Sequence, residues 1–243
     1  MSPLYDTIGL DYANLRRADP RIAAAIASAL GAAGTVLNVG AGSGSYEPAG
    51  RQVAAVEPSA EMIRQRPASG ALVVRGIAES LPFEDASFDA SMAVLTIHHW
   101  SDPAAGAAEM RRVTRGRVVF LTFDPSFRDF WLFDYFPGLV ALDEEKMPPL
   151  ERYGQWLGPV EISPVRIPHD CTDGFLAAYW RRPAAYLDDR VRAAMSSFWA
   201  LGDVSDGLQR LAADLDSGAW ADRHARLLGL DSCDCGYRLV ATR

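Results

Sequence analysis

Over its first half the chain alternates short apolar, β-branched runs with stretches whose apolar residues recur at helical spacing. The runs at 35–39, 53–56, 72–75, 88–95 and 117–123 read as strands. Segments 21–30, 59–66 and 103–113 read as helices, the first an alanine-rich amphipathic stretch stopped by Gly31. Strands that alternate with helices predict five parallel strands in an open α/β sheet. Two further strands fall at 160–167 and 236–242. The segment 126–149 is rich in Phe and Trp, and 173–228 reads as several helices broken at Gly202, Gly207 and Gly218. Neither belongs to a minimal sheet, and both leave or return to strand carboxyl ends, where they are placed to roof a ligand crevice.

The first strand runs into three alternate glycines in VLNVGAGSG, residues 36–44. Glycine there permits positive φ and lets a ligand approach bare backbone, so Gly40, Gly42 and Gly44 are expected to present free amides to a nucleoside. A dinucleotide fingerprint would place its third glycine at position 45, followed by a full helix facing the pyrophosphate. Ser45 stands there instead, and Pro48 and Gly50 leave no room for a long helix before the next strand. This disfavours an NAD(P)-dependent oxidoreductase and favours a nucleoside cofactor without phosphates, such as S-adenosylmethionine. Glu57, at the end of the second strand, is placed to accept two hydrogen bonds from a ribose diol.

These features resemble the class I S-adenosylmethionine-dependent methyltransferases, and within them the methyltransferase type 11 group. The resemblance is carried by VLNVGAGSG, AAVEPSAEMI, GIAESLPFEDASFDA, MAVLTIHHWSDP and EMRRV before RVVFLTFDP, about half the chain. It implies a Rossmann-like seven-stranded sheet, mostly parallel with an antiparallel last strand, helices on both faces and helical lid insertions. The domains then fall as a cofactor-binding core at 1–125, a lid insertion at 126–149, core again at 150–170, a helical lid at 171–230 and the last strand at 231–243. It implies S-adenosylmethionine as cofactor and S-adenosylhomocysteine as product, with contacts from Gly40, Ala41, Gly42, Gly44, Glu57, Pro58, Met62, Ile77, Ala78, Glu79, Leu95 and Thr96. Where the family often carries an adenine-binding aspartate this chain has Ile77, so adenine is expected to rest on backbone near Ala78 and on Met62 and Ile77. Segments like YDTIGLDYANLRR fold over the cofactor in the family, which makes Tyr5, Tyr12 and Arg16 candidates, or else packing residues.

The exit loop TIHHW places His98 and His99 nearest the transferring methyl, as a general base, as contacts without proton transfer, or as packing residues. Acceptor contacts are sought in the lid: Asp124, Trp131, Tyr135, His169, Asp170, Tyr179 and Trp180, with Tyr179 to Arg182 expected on one helix. Whether SFRDFWLFDYF closes the site or merely packs stays open.

The 243 residues are 49% hydrophobic and carry a net charge of −7, which argues against a phosphate-backbone partner and fits a small-molecule enzyme. No run is long enough to span a bilayer and the N-terminus lacks a signal pattern, so a cytoplasmic monomer or homodimer is expected. Cys171, Cys233 and Cys235 make neither a disulfide framework nor a zinc spacing, and no metal is expected. A non-catalytic sensor or scaffold that keeps the cofactor pocket is the alternative.

Overall fold

The computed structural model describes residues 16–68 and 71–243. In chain order helix α1 (Pro20–Ala29) is followed by strands β1 (Thr35–Val39) and β2 (Gln52–Glu57), helix α2 (Ala60–Arg64), and strands β3 (Leu72–Arg75) and β4 (Phe88–Val94). Helix α3 (Pro103–Val113) leads into β5 (Thr114–Phe123), and then come α4 (Leu132–Tyr135), α5 (Gly138–Lys146), α6 (Leu150–Leu157) and β6 (Val160–Pro168). Five helices follow, α7 (Asp189–Ala193), α8 (Ser196–Ala200), α9 (Ser205–Asp216), α10 (Ala219–Arg223) and α11 (Ala225–Leu228), before β7 (Ser232–Thr242) closes the chain.

Among the described residues these strands form one seven-stranded sheet in the order β3-β2-β1-β4-β5-β7-β6. β1 to β5 pair in parallel, and β7 lies antiparallel between β5 and β6. Because successive residues of a strand face opposite sides, the sheet feeds two cores. Val36, Val119 and Leu121 pack with Ile22 and Ile26 of α1, while Leu37, Val118 and Phe120 pack with Met110 of α3 and Tyr153 of α6. Asp19 starts α1 by accepting from the Arg21 amide at 3.0 Å and also accepts from the Thr172 amide at 3.1 Å. That ties the lid's first residues to the core.

The strand order reverses between β1 and β4, so the crevice outside their carboxyl ends is where an open sheet of this kind accepts a ligand. Residues 41–51 contain no helix, as Ser45 and Pro48 led one to expect. The aromatic segment 126–149 is packed rather than splayed: Phe130, Trp131, Phe133, Tyr135 and Phe136 are buried in one cluster with Trp180, Tyr186 and Trp220 of the later lid.

Three local expectations are corrected. Gly207 lies inside α9 instead of breaking it, because a Cβ there would stand 2.5 Å from the Tyr135 carbonyl oxygen; the glycine permits close helix approach. Tyr179 to Arg182 do not share a helix: a 3₁₀ turn ends at Tyr179, and Pro183, whose ring disfavours a helical Arg182, opens the next. The last strand begins at Ser232, four residues before Gly236, in register with the end of β6.

Candidate active site

The glycine turn is shaped by its neighbours before any ligand is considered. Gly40 has φ +66°, and a Cβ on it would lie 2.1 Å from the Thr96 hydroxyl, so glycine is what lets the end of β1 meet the exit of β4. Its amides are not free as expected. The N–H groups of Gly40 and Ala41 both donate to the Val56 carbonyl, at 2.9 and 3.0 Å, and that of Gly44 donates to the Ala41 carbonyl. The Gly42 amide donates to Glu57 Oε2 at 2.7 Å, and the Ser59 amide to Glu57 Oε1 at 2.9 Å. Glu57 is thus a buried carboxylate whose orientation is set by two main-chain groups.

A cavity of about 520 Å³ opens beside this turn. Its wall gathers Arg16, Gly40, Ala41, Gly42, Glu57, Pro58, Met62, Ile77, Ala78, Glu79, Leu95 and Thr96, all named from sequence. Gly44 stays outside, packed under the Arg66 guanidinium that also donates to the Gly42 carbonyl at 3.1 Å. Tyr5 and Tyr12 lie outside the described residues. His99, named as a candidate near the methyl, and Ser45, named for the glycine it replaces, also line it, and Asn38, Ser43, Tyr46, Gly76, Val94, Trp100 and Ser101 complete the wall without having been proposed as contacts. Most flank a motif residue by one or two positions, which was the available signal.

Electrostatics around this cavity are largely paired. Glu79 accepts from the Ser101 amide and hydroxyl at 2.7 and 2.8 Å and from the Asp102 amide at 3.0 Å. Burial works against its ionised form, yet these bonds hold the carboxyl below its ordinary range. Arg16 Nε donates to Asp173 Oδ1 at 2.6 Å, and the Tyr46 hydroxyl donates to Asp173 Oδ2 at 2.8 Å. Arg16 therefore lines the cavity with its charge already matched by a lid carboxylate.

A second cavity of about 150 Å³ adjoins the first, sharing Arg16, Leu95 and His99 with it. Phe123 and Tyr237 come from the sheet, Leu142 and Asp143 from α5, and Phe175, Leu176 and Met195 from the lid. His98 lines this side, its ring 3.9 Å centroid to centroid from that of His99. Desolvation, then the neighbouring His99 and Arg16, push the His98 imidazole well below its ordinary pKa, so it is neutral at pH 7. Leu95 joins the cavities in a left-handed conformation, φ +50°, which a branched side chain rarely adopts.

The residues expected to meet an acceptor are placed elsewhere. Trp131 donates its indole N–H to the Trp180 carbonyl at 2.8 Å, and Trp180 donates to the Ile167 carbonyl at 2.9 Å, both deep in the lid core. The Tyr135 hydroxyl donates to Asp214 at 2.6 Å, and Tyr179 packs beneath the Arg182 guanidinium. Asp170 pairs with Arg21 on the surface at 2.7 Å, His169 contacts the Asp231 carbonyl, and Asp124 accepts from the Ser126 amide and hydroxyl. None lines either cavity. Trp131, Tyr135 and Trp180 satisfy their polar ends on the Trp180 carbonyl, Asp214 and the Ile167 carbonyl, away from both cavities. The small cavity is instead built from separate elements that no local pattern joins.

Residues 37–122 match the family model described as Methyltransferase domain. The chain is 31% identical over 108 residues to 2-methyl-6-phytyl-1,4-hydroquinone methyltransferase 2, chloroplastic, of Oryza sativa subsp. japonica, covering 44% of this chain and 30% of that protein. It is 38% identical over 95 residues to malonyl-[acyl-carrier protein] O-methyltransferase of Erwinia billingiae, covering 36% of this chain and 38% of that protein. The chain thus matches about a third of the length of these curated relatives. The crystal structure of a putative methyltransferase from an antibiotic biosynthesis pathway of Anabaena variabilis is similar over 94% of this chain and 99% of its own, at 37% identity and a TM-score of 0.87. With that coverage, and with a buried carboxylate and a close-packed glycine turn at the sheet's switch point, the chain belongs to the class I S-adenosylmethionine-dependent methyltransferases.

Proposed function

We propose that this methyltransferase acts on a small-molecule acceptor, holding its cofactor in the larger cavity and the acceptor in the smaller one. The adjoining of the two cavities at Leu95 and His99 carries this reading. S-adenosylmethionine, when bound, supplies a methyl group already activated on a sulfonium.

The chain's own residues then have positioning tasks. Glu57 accepts from the ribose hydroxyls, since its carboxylate is buried and held toward the cavity by the amides of Gly42 and Ser59. Met62, Ile77, Ala78 and Trp100 pack the base from apolar surfaces, and Arg16 meets the amino-acid end through an N–H rather than as an unpaired cation. Alignment of an acceptor atom with the methyl supplies most of the rate gain. His98, neutral on the wall of the smaller cavity, offers its unpartnered Nδ1 to the acceptor, while burial and the fields of His99 and Arg16 make it a weak base. A cavity of about 150 Å³ suits a molecule of one small ring, in line with the Anabaena relative from an antibiotic biosynthesis pathway.

Calorimetry with S-adenosylhomocysteine tests the cofactor site, with micromolar binding expected. A screen of small acceptors for S-adenosylhomocysteine release tests the acceptor class. Turnover confined to protein or nucleic-acid acceptors would refute the small-molecule reading.

A further inference from the structure

Among the described residues, two buried side-chain atoms without a hydrogen-bond partner belong to walls of the smaller cavity: His98 Nδ1 and Asp143 Oδ2. No other unpartnered buried atom belongs to a residue lining either cavity. Buried polar groups are normally satisfied, and an exception at a ligand cavity marks what the ligand brings.

Asp143 sits on α5 and is 8% exposed. Burial lifts its carboxyl to about 7, opposed by the positive field of Arg128. The cations nearby are engaged elsewhere. Arg128 bonds Glu144 and the carbonyls of Pro125 and Phe127; Lys146 pairs with Glu145 at 2.6 Å; Arg16 pairs with Asp173. Tyr237, from the sheet, and His98 and His99, from the β4 exit loop, also face the space and are neutral. The rest of the wall is mostly apolar, with Leu142, Phe175, Leu176 and Met195 around a volume that suits one benzene-sized ring.

We infer that Asp143 recognises the acceptor, binding the ammonium group of a compact amine whose apolar, single-ring-sized body lies against Phe175 and Leu176. Once the carboxyl ionises, above about pH 7, a hydroxyl would satisfy Oδ2 but leave the charge uncompensated, and an anionic acceptor would be repelled. An amine supplies hydrogen bond and charge together. This specificity rests on the smaller cavity being the acceptor site.

The test uses the full chain saturated with S-adenosylhomocysteine, titrated with benzylamine and with its neutral isostere benzyl alcohol. At pH 8 benzylamine is expected to bind at least about 10-fold tighter, a preference that Asp143→Asn abolishes while S-adenosylhomocysteine affinity stays within about twofold. In the wild type, with no variant needed, the preference should grow from pH 6 to pH 8 as the carboxyl ionises. Equal affinities, a preference unchanged by pH or retained in Asp143→Asn, or no benzylamine binding at millimolar concentration would overturn the inference. Failure of the wild type to bind S-adenosylhomocysteine would instead remove the cofactor assignment beneath it.

Discussion

The Glu57 carboxylate accepts the Gly42 amide at 2.7 Å, so the acid at the end of the second strand holds the glycine turn at the end of the first. One side chain therefore shapes the turn and lines the larger cavity. Glu57→Ala should lower S-adenosylhomocysteine affinity by about 1.5–3 kcal/mol, the range for a hydrogen bond to a charged group. Glu57→Gln should recover part of this, because its amide oxygen can still accept from one main-chain donor. Calorimetric affinities of the three proteins check the order.

Two glycines of the same turn should respond differently to alanine. At Gly40 the added Cβ would collide with Thr96, whose hydroxyl lies 2.1 Å from it, and the positive φ adds strain. Gly40→Ala is expected to destabilise by about 3 kcal/mol or more, combining overpacking with a left-handed backbone. At Gly42 the Cβ would meet open space, so Gly42→Ala should cost only about 1–2 kcal/mol, from φ alone. Urea unfolding midpoints separate the two.

Removing Asp173 should be severe. Its carboxylate receives Arg16 Nε at 2.6 Å, the Tyr46 hydroxyl at 2.8 Å and the Gly174 amide at 2.7 Å, and it is almost wholly buried. Asp173→Ala removes the carboxylate from a largely desolvated arginine and from the buried Tyr46 hydroxyl and should lower stability by about 3–5 kcal/mol. Chemical denaturation measures this, and a loss below about 1 kcal/mol would show the network to be dispensable.

The pH dependence of stability follows from Asp143. Burial raises its folded carboxyl from the ordinary 3.8 to about 7, so the folded state holds that proton more tightly than the unfolded chain. Its contribution to stability is fully present below about pH 4 and is lost as the pH rises through 7. Asp143→Asn cannot titrate and should be more stable than wild type at pH 8 by about 1–3 kcal/mol, with the advantage shrinking toward pH 4. Melting temperatures across that interval give the comparison.

The wall of the larger cavity was legible because its residues come in runs at strand ends. The glycine turn, Glu57, positions 77–79 and the Leu95–Thr96 exit each end a readable apolar strand or follow one, and a parallel sheet brings such ends to one crevice. The turn's hydrogen bonding was not legible, since the Val56 carbonyl that takes two of its amides belongs to the neighbouring strand. The lid misled for a different reason. Trp131, Tyr135 and Trp180 looked like ligand contacts because they are large and amphipathic, but a lid assembled from short helices needs those rings for its own core. Asp143 lies in VALDEEK, where it reads as one more solvated acid; the structure buries it and sets it in a cavity wall shared with Leu176 and with Ser196, Ser197 and Ala200 of α8, all distant in sequence.

Arg16 borders both cavities while its partner Asp173 stands at the start of the lid. Any shift of this arginine toward a cofactor carboxylate must be felt by the segment that carries Phe175 and Leu176. If the proposed donor and acceptor sites are coupled through this pair, each ligand would alter the other's affinity by the same factor. One ion pair, between the sheet side and the first residues of the lid, is thus shared by the walls of both cavities.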